Sequence, residues 1–291
     1  MSARLPTLLL SIAAFGCSGK AADSGGSEGG WLVPLQDLGV AKATSADLDV
    51  VAQADDLWFI SAHFLPGIDW DEPTVDLPLY LFETVAMQDA VADSGSCPYT
   101  VVEGGQTTWR SDCRSTNGYE WTGGMVQKKW TEADLEYTRW DANLDVAGDT
   151  DRAEFDQLAI RGSVVYVKGG DGPLKTAIQG NIQVQLSGLW SRADADDPRE
   201  AAWRDWAWTG RDELTDSGHR IDGVARLAGV GTVSLVGQGL TVDAACGSSP
   251  TGTITASGRG SADLGFHGST DCRQCADLTG PDGPTGETCA R

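Results

Sequence analysis

Residues 178–190 read "IQGNIQVQLSGLW". Ile178, Ile182, Val184, Leu186 and Trp190 share one parity, while Gln179, Asn181, Gln183, Gln185 and Ser187 take the other. Strict alternation over this length describes an antiparallel strand with one face buried and one face wet. Outward from it, Leu158, Ile160, Val164 and Tyr166 also share a parity, but Val165 and Val167 make that segment apolar on both faces. Further strands are expected at 135–146, 203–209, 221–236 and 240–246, with short strands within 47–64. Pro78 opens "PLYLFETVAMQDAVA" (78–92), where proline suits a first helical turn and good helix formers follow. That segment is the one helix expected.

Two hairpins set the register. In "CPYTVVEGGQTTWRSDC" (97–113), a three-residue loop centred on Gly105 places Val101 opposite Trp109 and Cys97 opposite Cys113. In "CGSSPTGTITASGRGSADLGFHGSTDC" (246–272), centring on Arg259 places Ile254 opposite Leu264, Ala256 opposite Ala262 and Cys246 opposite Cys272. Directly opposed residues lie within disulfide range. The remaining pair, Cys275 with Cys289, then clamps the tail "ADLTGPDGPTGET". Asn117-Gly118 is a two-residue turn signal that pairs the strand through Cys113 with "YEWTGGMVQKKW", completing a three-strand meander. The competing reading of Cys272-Arg273-Gln274-Cys275 is a redox or zinc motif. It follows a hairpin and precedes Gly/Pro-rich chain, and only His267 offers a nearby extra ligand.

About ten or more short strands with glycine-rich turns predict a mainly β fold. The expected form is an antiparallel meander making a curled sheet, a sandwich or a partly closed barrel, with one short helix on its N-terminal side. An outer-membrane barrel would also use alternation and aromatics. The disulfides and the glycines that break the apolar faces argue against it.

The chain has seven cysteines, and the odd one is Cys17. Arg4, an apolar run from Leu5 to Phe15 and Gly16 before Cys17 have the layout of a secretory signal peptide. The run is shorter than the roughly 20 residues a membrane-spanning helix needs. Residues 18–30 are almost entirely Ser, Gly, Ala, Asp, Glu and Lys, a composition that builds no core. As a flexible coil such a linker reaches about 20 Å. The expected organisation is a signal peptide over 1–16, Cys17 and a linker to residue 30, and one disulfide-braced β domain over 31–291. Within it, 31–96 carries the helix and 97–291 the meander and clamped tail.

Ala14-Phe15-Gly16-Cys17 resembles the lipobox of bacterial lipoproteins. The resemblance implies cleavage before Cys17, its acylation, export and a lipid anchor. Ser18 after the cysteine implies the outer membrane in cells that have one. The framework "TDCRQCADLTGPDG…TC", with lipobox and linker, resembles uncharacterised lipoproteins of the myxobacterial type. No activity travels with that likeness.

Composition narrows the partners. With 42 acidic against 21 basic residues and a formal charge of −21, phosphate neutralisation is disfavoured and no nucleic-acid partner is expected. Three histidines leave few general bases or transition-metal ligands, and no cofactor or metal is expected. Gly25-Gly26-Ser27-Glu28-Gly29 has the spelling of a hydrolase elbow but lies in the linker, away from any strand-to-helix turn. The acidic runs 69–72, 149–151 and 194–197 offer oxygen ligands for calcium but lack the spacing and glycine of an EF-hand loop, and read first as solvated turns. "AAWRDWAWTG" (201–210) puts Trp206 and Trp208 on one strand face, either core packing or a flat platform for sugars or proteins. The expected function is a non-catalytic, lipid-anchored envelope protein that binds or scaffolds polysaccharide or a protein partner. Alternatives are a carboxylate-dependent hydrolase of surface polymers and a carrier of apolar ligands or lipids.

Overall fold

The computed structural model describes residues 31–32, 36–39, 47–62, 97, 99–110, 112–114, 119–148, 157–169, 176–187, 205–242, 250–267 and 275–289. In chain order these form α1 (Ala54–Ala62), β1 (Tyr99–Glu103), β2 (Gln106–Arg110), β3 (Cys113–Arg114), β4 (Tyr119–Glu132) and β5 (Leu135–Gly148). There follow β6 (Gln157–Gly169), β7 (Thr176–Ser187), β8 (Asp205–Thr215), β9 (Gly218–Leu227) and β10 (Gly231–Val242). The last four are β11 (Pro250–Gly258), β12 (Gly260–His267), β13 (Cys275–Gly280) and β14 (Gly283–Cys289). Every strand pairs antiparallel with its sequence neighbour in one 14-stranded sheet, save that β2 and β3 both lie along β4 in a single register. The sheet is not closed, and β1 and β14 end the path.

One face of this sheet turns inward. A single contiguous apolar cluster runs from Trp109 on β2, through Trp121, Met125, Trp140, Leu144, Ile160, Ile178, Ile182 and Trp208, to Leu278 on β13. Each is a same-parity residue of its strand, so alternation alone delivers the core. The faces turn in around α1, whose Leu57, Trp58 and Ile60 belong to the same cluster. The helix packs against both β9 and β14. Its first turn carries Asp55 and Asp56, the sign a helix N-terminus favours. Short strands were expected across 47–64. Residues 54–62 are helical instead, with Leu57, Trp58, Ile60 and Ser61 buried. The helix expected at 78–92 lies outside the described residues.

Residues 47–50 form a strap over the hairpin tips. Asp47 bridges Thr232 and Asp49 bridges Arg259 in parallel fashion. Leu48 N donates to Thr232 O and Arg259 N donates to Leu48 O. A Cβ at Gly258 would stand 2.4 Å from Leu48 O, so the strap approaches this closely only because that residue is glycine.

The observed registers sharpen the expectations. The β11–β12 hairpin has Ile254 opposite Leu264 and Ala256 opposite Ala262, as expected from centring on Arg259. The β1–β2 hairpin differs by one residue: Glu103 pairs with Gln106 and Val101 with Thr108, not Trp109. Gly104 and Gly105 both have positive φ, the signature of a two-residue type I′ loop that suits strand twist better than a three-residue one. Cys113 still reaches Cys97, since Asp112 adopts φ 71° between β2 and β3 and restarts the strand. The single strand expected over 221–236 is two, turning at Ala228-Gly229-Val230, with Thr232 opposite Arg226. Residues 231–242 are then one strand, bulged between Gly237 and Leu240. Asn117-Gly118 lies outside the described residues, but the three-strand meander of β1, β2 and β4 is present.

Candidate binding face

The outward face is built from cross-strand rows. Asp141, Ser163, Asn181 and Thr209 stand opposite one another in one row, and Asn143, Arg161 and Gln183 in the next. Charged and amide side chains in these positions are the opposite of a lipid-facing band. Arg139 chelates Asp141 through Nε and an Nη nitrogen 2.8 Å away, and Ser163 Oγ donates to the same carboxylate. Partial burial pushes the Asp141 carboxyl up. The hydrogen bonds from Arg139 and Ser163 and the charges of Arg139 and Lys128 outweigh it, and the group titrates below the ordinary carboxylate range.

Part of this face is covered by Trp31, Leu32 and residues 36–39. The guanidinium groups of Arg211 and Arg220 both lie over the Trp31 ring, 4.0 and 4.2 Å from its centroid. Arg220 pairs with Glu213, which accepts from Leu32 N. Gln179 exchanges hydrogen bonds with Gln36, and Asn181 Nδ2 donates to Gly39 O. Leu38 sits on Val165, Val167 and Ala177, a second small cluster. This explains why β6 is apolar on both faces: one face meets the core, the other Leu32 and Leu38.

Where that cover stops, two aromatic rings emerge. Trp130 on β4 and Tyr137 on β5 are directly opposed across the hairpin. Their rings stack with centroids 4.9 Å apart and planes 7° from parallel. Tyr137 packs against the Leu38 cluster, and Trp130 is 37% exposed. The β4–β5 loop is Ala133-Asp134, both with positive φ, which swings the strands into a tight hairpin and holds the rings face to face. Exposed Lys128 and Lys129 precede Trp130, and half-buried Arg139 stands opposite Lys128. Sequence reading passes over this pair because it weighs each tryptophan within its own strand, whereas the platform is made by two strands.

The residues singled out from sequence fall as follows. Trp208 is 4% exposed and belongs to the core, so it is not an open ligand platform. Gly180 sits against its ring and Gly223 against its indole nitrogen, and both pair with Gly210 in one cross-strand row that makes a trough for the indole. The backbone of Trp206 pairs with Val184 and Leu227. Cys97–Cys113 and Cys275–Cys289 are disulfides, with Cα atoms 5.6 and 4.0 Å apart. The second excludes a Cys272–Cys275 bridge. Cys17, Cys246, Cys272, the elbow-like string at 25–29 and the three acidic runs lie outside the described residues.

One acid–base pair was not foreseen. His219 Nδ1 lies 3.1 Å from both carboxylate oxygens of Asp212, on the inward faces of β9 and β8. Both side chains are at most 3% exposed, so the pair is sealed inside the core rather than offered to a substrate. Only the strand pairing brings positions 212 and 219 together. Comparison with family models, with curated proteins and with solved structures finds no match.

Proposed function

We propose that this chain is an exported, lipid-anchored envelope protein that binds polysaccharide on the outward face of β4–β6, without catalysing its breakdown. The observation that carries the reading is the stacked Trp130–Tyr137 pair, flat, partly exposed and flanked by Lys128 and Arg139 in the next same-face row. Aromatic faces with an apolar body and polar neighbours suit a sugar ring, which offers C–H groups to the aromatic and hydroxyls to the charged groups. Two disulfides fit an oxidising, exported compartment. The signal-like start, Cys17 and the Ser/Gly-rich linker support attachment at the cell envelope, in the outer membrane where the cell has one.

The inward face supports this reading over the carrier alternative. Its apolar surface is occupied by α1 and by Trp109, Trp121, Trp140 and Trp208. The hydrolase alternative asked for two acids beside Trp206. Adjacent Asp205 is engaged by Arg226 and by Gln183.

Two assays test the proposal. Palmitate labelling of intact cells should mark the wild-type chain and not Cys17→Ala; equal labelling of both would remove the anchor. Purified protein beginning in the linker should sediment with cell-wall sacculi or envelope polysaccharide and release no sugar. A Trp130→Ala/Tyr137→Ala variant should stay in the supernatant. Sugar release would make the chain an enzyme, and sedimentation unaffected by the double substitution would move binding elsewhere.

A further inference from the structure

The outward face carries a second constellation at its far end, independent of the aromatic platform. Gly265 on β12, Asp277 on β13 and Glu287 on β14 form one cross-strand row. His267 lies two residues beyond Gly265 on the same face of β12. Its Nε2 is 3.9 Å from an Asp277 carboxylate oxygen and 3.7 Å from one of Glu287. One ligand atom from each of the three side chains lies within 4.8 Å of the other two.

Asp277 and Glu287 are directly opposed like charges, an arrangement that destabilises an antiparallel pair. Nothing lets them slip apart, because the Cys275–Cys289 disulfide joins the next same-face pair along the two strands. The register is therefore locked with both carboxylates side by side. Gly265, opposite Asp277, projects no side chain, and His267 reaches over that gap.

We propose that His267, Asp277 and Glu287 form a binding site for a first-row divalent transition ion of the zinc type. One imidazole with two carboxylates suits such an ion, while calcium and magnesium prefer all-oxygen shells. Ligand atoms around one zinc ion stand about 3–3.5 Å apart, given bonds of about 2.0–2.2 Å. The His267 distances thus need to close by about half an ångström, within reach of side-chain torsions. All three side chains are exposed, which leaves the remaining coordination positions open to water.

The test is calorimetric titration of the oxidised, folded protein with zinc chloride, repeated in excess calcium chloride. One saturable site is expected, insensitive to calcium, and weakened about tenfold or more in His267→Ala and in Asp277→Asn/Glu287→Gln. Zinc uptake unchanged by His267→Ala, zinc displaced by calcium, or no saturable uptake above that of the variants would each overturn the site. Because the three residues are exposed, the variants should retain the wild-type circular dichroism spectrum and the Cys275–Cys289 bridge. A variant that loses either is replaced by His267→Gln, which keeps a polar side chain of similar size and should show the same loss of zinc.

Discussion

Trp208 is the residue whose two expected roles, core packing and ligand platform, the structure decides for the core, and Gly180 is the means to test its placement. A Cβ added at Gly180 would lie 2.2 Å from Trp208 Cζ3 and 2.8 Å from Cε3. Carbon atoms rest at about 3.5–4.0 Å, so the indole would have to retreat by about 1.3–1.8 Å. It has little room, since a Cβ at Gly223 would stand only 2.9 Å from its Nε1 on the other side. Gly180→Ala should therefore cost about 1–3 kcal/mol through overpacking. Trp208→Ala should cost about 3–5 kcal/mol through the cavity it leaves. With the ring removed the clash vanishes, so Gly180→Ala made on Trp208→Ala should cost close to nothing. The two changes are then non-additive by about 1–3 kcal/mol. Equilibrium urea unfolding of the oxidised protein, followed by far-ultraviolet circular dichroism, measures all four corners of the cycle. Equal costs of Gly180→Ala in both backgrounds, or a cost of Trp208→Ala below about 1 kcal/mol, would refute the buried placement.

Replacing Cys275 and Cys289 by serine should cost about 3 kcal/mol, the chain-entropy value for a loop of this length, read from urea midpoints. Asp141 titrates below its ordinary value of 3.8, so its stabilisation is full above about pH 4 and is lost as pH falls through the lower folded value. The melting-temperature advantage of wild type over Asp141→Asn should thus be constant above about pH 4 and shrink as the pH falls below it; an advantage constant throughout would contradict the ion-pair assignment. The Arg259-centred register seen in β11 and β12 is the one from which the sequence expectation sets Cys246 opposite Cys272. Peptide mapping of the non-reduced protein should recover that bridge, and a free thiol at either position would contradict it.

How much of this was legible in the sequence depends on how local each signal was. The Arg259-centred hairpin was readable because Gly258 and Gly260 bracket the turn and the apolar residues on both sides match in parity. The Ala133-Asp134 loop carries no glycine, and the left-handed conformation at Ala133 is imposed by the fourteen-residue pairing of β4 with β5. The turn at 228–230 was hidden because apolar residues continue through it, so one long strand satisfied the alternation as well as two short ones. Helix α1 was missed for a related reason: "LWFI" is apolar on every side, and periodicity cannot separate a buried helix from a buried strand. The site residues failed in a different way. Trp130 with Tyr137, His219 with Asp212, and His267 with Asp277 and Glu287 are each assembled across strands. Register, which one-dimensional patterning leaves open, decides them.

The fold and the proposed binding face together depend on Trp121, Trp140 and Trp208 facing inward and Trp130 facing out. Oxidative footprinting of the folded protein, with and without bound envelope polysaccharide, reads this directly by mass spectrometry of the tryptic peptides. Trp130 should be modified in the free protein and protected when polymer is bound, while Trp121, Trp140 and Trp208 stay unmodified in both. Modification of Trp208 in the free protein, or a Trp130 indifferent to polymer, would contradict it.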